Sequence, residues 1–69
     1  MNETIEVLIN QHRHQLPAGA RLIDAIAAAG VQPPFAAAVN LEFVPKPRHA
    51  EHLLQPGDQI ELIAPITGG

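Results

Sequence analysis

Two glycines, Gly68 and Gly69, end the 69-residue sequence, behind the alternating segment Gln59-Ile60-Glu61-Leu62-Ile63-Ala64 and a connector, Pro65-Ile66-Thr67. Glycine lacks a Cβ, so a Gly-Gly end can stay extended and enter a channel too narrow for any other residue pair. At average glycine usage, two terminal glycines arise by chance in roughly 0.5% of chains, so chance is a poor account of the pair. What such an end offers chemically is the α-carboxylate of Gly69. It is ionised at neutral pH and a poor electrophile. It must be joined to a good leaving group before a nucleophile can attack its carbonyl carbon. The tail Ile66, Thr67, Gly68 and Gly69 is therefore the candidate reactive segment, with Gly69 as the reacting residue.

No other residue set competes with it. The sequence has no cysteine, which removes disulfides, thiolate chemistry and cysteine-ligated zinc together. Of the four histidines, His12 and His14 share a strand face, and His49 and His52 are spaced i, i+3 on a short turn. Neither pair has a third ligand nearby, whereas a structural zinc site needs four. All four histidines are expected to be solvated, with no metal bound. The carboxylates Glu51, Asp58 and Glu61 lack a nucleophile or an acid–base partner, and they too read as solvated surface.

Sixty-nine residues with 46% hydrophobic and 16% charged content suit one small folded domain over residues 1–69, with 65–69 protruding as a tail. A core of this size is marginal, and a catalytic cleft is hard to build around it. The net charge is −3, and Arg13, Arg21, Lys46 and Arg48 are scattered, so nucleic acid is not an expected partner. No apolar run approaches a membrane span and no signal pattern opens the chain. A cytoplasmic location is the expectation.

The elements that must position the tail follow from periodicity. Thr4 to Ile9 alternates as a strand with Ile5, Val7 and Ile9 on one face. Asn10-Gln11 turns it into a second strand, Arg13 to Leu16, which Pro17-Ala18-Gly19 ends. From Arg21 to Ala29, Leu22, Ala25, Ile26 and Ala29 recur at helical spacing, and Gly30 fits the C-cap. Pro33-Pro34 leads into a strand over Phe35 to Val39. Asn40-Leu41-Glu42 turns into a short strand, Phe43-Val44, closed by Pro45 and Pro47. His49 to Leu54 suits one helical or 3₁₀ turn. Gln55-Pro56-Gly57-Asp58 is a turn with proline pre-setting φ and glycine taking the left-handed position, and the last strand follows. A helix after an N-terminal hairpin must cover one sheet face. The last strand needs cover for Ile60, Leu62 and Ala64, which places it within the sheet. The fold expected is α+β: a β-grasp, with a mixed sheet of four to five strands packed on one helix.

Several segments carry a resemblance to a known family. The Gly-Gly end, Val39-Asn40-Leu41-Glu42-Phe43-Val44-Pro45, Ala50-Glu51-His52 and Gln55-Pro56-Gly57-Asp58-Gln59-Ile60-Glu61 together resemble ThiS, the ubiquitin-like sulfur carrier of thiamin biosynthesis. One departure is Thr67, where many members carry glycine or an apolar residue; a β-branched side chain stiffens the tail there. The resemblance implies a protein cosubstrate and not an enzyme. A ThiF-type enzyme using ATP and magnesium would adenylate Gly69. A cysteine desulfurase would be a usual sulfur source, and the resulting thiocarboxylate would serve ThiG thiazole synthase. The carrier itself would bind no cofactor.

A carrier needs a docking surface, and period 2 on the last strand puts Ile60 and Leu62 inward, Glu61 and Ile63 outward. Ile63 and, beyond the sheet, Ile66 are the candidate docking residues, since an exposed apolar cluster marks an interaction site. Within the class of glycine-terminated proteins, a MoaD-type carrier for molybdopterin or a ubiquitin-like modifier would use the same activation. In a different class, a TGS-type regulatory or RNA-associated module shares the small fold but gives no reason for a Gly-Gly end.

Overall fold

The computed structural model describes residues 3–64. Strand β1 (Thr4–Ile9) pairs antiparallel with β2 (His12–Pro17), and helix α1 (Leu22–Ala29) follows. Strands β3 (Ala36–Val39) and β4 (Glu42–Val44) form a second antiparallel hairpin, and β5 (Gln59–Ile63) comes last. The sheet order is β2-β1-β5-β3-β4. Strand β5 is thus central, parallel to β1 and antiparallel to β3. This mixed sheet with one helix is the β-grasp arrangement expected from the periodicity.

The local reasons match the residues. Both hairpins turn on two residues with positive φ, Asn10 (50°) with Gln11 (72°) and Asn40 (51°) with Leu41 (70°). Such pairs twist in the sense that adjacent strands require, and asparagine tolerates the first position. At the start of α1, the Asp24 carboxylate accepts the Arg21 N–H at 2.8 Å, placing a negative charge where the helix end is positive. Gly30 (φ 72°) ends the helix, with its N–H turned back to the Ile26 and Ala27 carbonyls. Residues Gln55 to Asp58 form the expected turn, with Gly57 at φ 85° and the Asp58 N–H returning to Gln55 O at 3.1 Å.

One core holds these elements together. The inner sheet face supplies Val7, Ile9, Leu16, Ala37, Val39, Val44, Ile60 and Leu62; the helix supplies Leu22, Ala25 and Ile26; Ala20 and Leu54 complete it. Leu22, Ile60 and Val7 are fully buried, each contributing about 1.5–3 kcal/mol relative to exposure.

Three expectations need correction. The 3₁₀ turn lies at Lys46–Arg48 and not within His49 to Leu54. Pro47 does more than close a strand: its fixed φ and missing N–H suit a first helical turn. Residues His52 and Leu54 instead run beside the helix start, with Leu22 N–H donating to His52 O and Leu54 N–H to Ala20 O. Strand β3 begins at Ala36, one residue after Phe35. Ala64 is exposed, so the inward stripe of β5 is only Ile60 and Leu62.

Candidate functional site

The site is built around β5, because that strand leads the chain toward Gly68 and Gly69. Ile66, Thr67, Gly68 and Gly69 lie outside the described residues. What is described is how the strand before them is held. Beyond Ile9, β1 has already turned away, which would leave the Leu62 peptide groups unpaired on that side. The Asn10 side chain takes over: its Oδ1 accepts the Leu62 N–H at 2.9 Å and its Nδ2 donates to Leu62 O at 3.2 Å. A side-chain amide thereby extends the ladder where the backbone has left it. At the other end of β5, Asn40 Oδ1 accepts the Gln59 N–H at 3.0 Å and Asn40 Nδ2 donates to Asp58 Oδ1 at 3.0 Å. One asparagine from each hairpin tip therefore braces β5.

The outer face of the sheet carries exposed apolar side chains. Ile63 is 61% exposed, as its outward phase on β5 predicts, whereas Leu62 is 6% exposed. Ile63 sits opposite Ala36, and Ala38 sits between Glu61 on β5 and Phe43 on β4. Phe43, 67% exposed, belongs to the same face. It is absent from the sequence expectations, although buried Val44 beside it on a strand already implies an outward Phe43. Small alanines on β3 thus floor a strip with Phe43 on one side and Ile63 on the other.

Two polar residues depart from their expected solvated state. Asp58 is buried at 8% exposure; its Oδ2 accepts the Gln55 N–H at 2.8 Å while Oδ1 takes the Asn40 amide. The first bond is a local one that a Pro-Gly-Asp turn permits. The second comes from eighteen residues away and has no local signature. His49 is also buried, its Nε2 donating to Val44 O at 3.0 Å and its ring stacked on Phe35 at a centroid distance of 6.0 Å. Glu51 and Glu61 are exposed as expected. No group of three residues able to hold a metal occurs among the described residues.

The segments Val39–Pro45, Ala50–His52 and Gln55–Glu61 meet in space. A cleft of about 630 Å³ is lined by Asn40, Glu42, Phe43, Glu51, His52 and Gln55, among others. No nucleophile faces an acid–base partner there, and its best-connected polar residues, Asn40 and Asp58, are spent on holding the β3–β4 turn to β5. Asp58→Ala should accordingly leave the Gln55 and Asn40 donors without their acceptor and lower stability by about 1–3 kcal/mol. Thermal unfolding by circular dichroism checks this. An unchanged Tm would mean that the latch contributes nothing.

No helix among the described residues is long and apolar enough to cross a membrane. The structure resembles the crystal structure of a thiamine biosynthesis protein (ThiS) from Geobacter metallireducens with a TM-score of 0.77. The match covers 94% of this chain and 100% of that one at 14% identity, a likeness of fold. No curated protein sequence matches the chain. The ThiS family model matches residues 2–69. With that match spanning strands, helix, asparagine latch and glycine pair alike, the chain belongs to the ThiS family.

Proposed function

We propose that this protein is a sulfur carrier of thiamin biosynthesis and that the carboxylate of Gly69 is its working group. The observation that carries the reading is the family match over residues 2–69, which includes Gly68-Gly69. A carboxylate oxygen of Gly69 attacks the α-phosphorus of ATP on a ThiF-type enzyme that uses magnesium, and pyrophosphate leaves. The acyl-adenylate so formed has AMP as its leaving group. A partner's sulfur nucleophile, loaded by a donor such as a cysteine desulfurase, adds to the carbonyl carbon and expels AMP. The nucleophile being a persulfide, the product is an acyl disulfide. A thiol attacks the partner's sulfur, the S–S bond breaks, and the two thiol sulfurs end as a disulfide. The thiocarboxylate left on Gly69 gives its sulfur to thiazole formation on ThiG.

In this reading the chain is a cytoplasmic protein cosubstrate. Its own residues do three things. The core and the two asparagine braces hold β5; the outer face, with Ile63, Phe43 and beyond them Ile66, docks the enzymes; and the tail of Thr67, Gly68 and Gly69 enters the partner's channel. Ile63 and Phe43 are exposed apolar side chains on one sheet face, which is the feature a docking surface requires.

Incubation with the cognate ThiF-type enzyme, ATP, magnesium and a sulfur source should replace one oxygen by sulfur, localised by intact-mass and fragment spectrometry to the C-terminal peptide. No exchange with an enzyme of proven activity would overturn the sulfur-carrier reading.

A further inference from the structure

Leu41 is the most exposed large hydrophobic residue among those described, at 86%, and its φ is +70°. Both features work against the fold. A residue with a Cβ is strained in the left-handed region, and an apolar side chain left in water gains nothing from burial. Glycine is what the second position of a two-residue hairpin turn favours. At the matching position of the other hairpin stands Gln11, equally left-handed at +72° but polar. Neither the core nor the Asn40 hydrogen bonds involve the Leu41 side chain. A strained, exposed leucine with no return to the fold points to a use outside it.

Its position says which use. Phe43 lies two residues on and pairs with Ala38; Ile63, opposite Ala36, lies two residues further along β3, away from the tip. Leu41, Phe43 and Ile63 therefore form a run from the hairpin tip across the outer face to the last residue of β5. One exposed carboxylate shares this face, Glu61, across Ala38 from Phe43 and two residues before Ile63. We infer that Leu41 is the far anchor of the docking surface and inserts into an apolar pocket of the adenylating enzyme, which presents a cationic side chain to Glu61. The inference rests on the sulfur-carrier reading above. An enzyme that grips the tail beyond Ile63 meets the apolar run at one end, and Leu41 fixes the other. Well-packed apolar anchors of this kind concentrate binding energy in a few residues.

The test compares Leu41→Gly, Leu41→Met and Gln11→Gly by isothermal titration against the cognate ThiF-type enzyme, with a melting curve for each. Leu41→Gly should weaken Kd by at least about tenfold while Tm rises by about 2–4 °C, because the strain is relieved. Leu41→Met should bind within about twofold of wild type. Gln11→Gly relieves the same strain on the other hairpin, and should raise Tm with no change in Kd. Normal affinity of Leu41→Gly, or equal weakening by Gln11→Gly, overturns the anchor. A fall in Tm for Leu41→Gly would also overturn it by showing that the leucine serves the fold. Failure of the sulfur-carrier reading shows separately, as wild type that is neither bound nor adenylated by an enzyme active on its own carrier.

Discussion

Deletion of Gly69 is expected to abolish ATP–pyrophosphate exchange by the activating enzyme while the melting curve stays where it was. The two halves of this expectation have different causes. Exchange requires an acyl-adenylate at the carbonyl of Gly69; without that residue the carboxylate moves back to Gly68 and falls one residue short, about 3.3–3.6 Å, of the position it must reach. A misplacement of even 1 Å can lower a rate by two orders of magnitude. Stability is untouched because no member of the described core lies beyond Leu62, and terminal residues outside a packed core contribute little. Gly68→Val should produce the same loss by another route, since the carboxylate survives but a β-branched side chain must enter a narrow channel. Thr67→Gly should be tolerated. The measurement is the exchange rate of each variant against its Tm, and normal exchange by the deletion would show that the terminal carboxylate is not the reacting group.

The second large effect separates the two faces of β5. Leu62→Asp is expected to unfold the domain. Its side chain is 6% exposed and packs in the core opposite Ala37. A carboxylate at that place has no partner cation among the core residues, and burying it carries a penalty of several kcal/mol. A domain of this size holds roughly 3–5 kcal/mol in total, so the penalty exceeds the reserve. Ile63→Asp, one residue on, should shift stability by no more than about 0.5 kcal/mol, because its side chain stands in water. Binding to the activating enzyme should weaken instead. Circular dichroism of both variants, with a binding isotherm for the second, decides the matter; if both unfold alike, Ile63 is structural and its docking role is lost.

How much of this could be read in the residues depends on whether the deciding interaction is local. The alternation Ile5, Val7, Ile9 and the spacing of Leu22, Ala25, Ile26 and Ala29 are local patterns, and they located β1 and α1 within a residue or two. Pro56-Gly57 likewise specified its turn. Residues fixed by distant partners were not legible. Asp58 looks like any surface aspartate until Asn40 is beside it, and His49 becomes a core residue only because Val44 O and Phe35 meet its ring. Asn10 reads as a turn residue, yet its amide also completes the pairing of Leu62, fifty-two positions later. Pro47 misled for a different reason, since proline both ends strands and begins helical turns, and no neighbour in sequence says which. The outward Ile63 was visible because it depends only on its own phase along the strand; that Phe43 shares its face needed the pairing of β3 with both neighbours.

The strand order carries a consequence for how the molecule comes into being. In β2-β1-β5-β3-β4, the two hairpins are joined within the sheet only through β5, which is the last of the five strands to be synthesised. A nascent or truncated chain lacking β5 is therefore not a sheet with one strand missing but two separate ribbons, each marginal in water and each with an open edge. The long-range pairing of β1 with β5 is also the slow kind to form. Any molecule that displays the finished outer face has thus been translated through Ile63. A partner that bound this face would accordingly select only chains in which β5 is already seated between the hairpins.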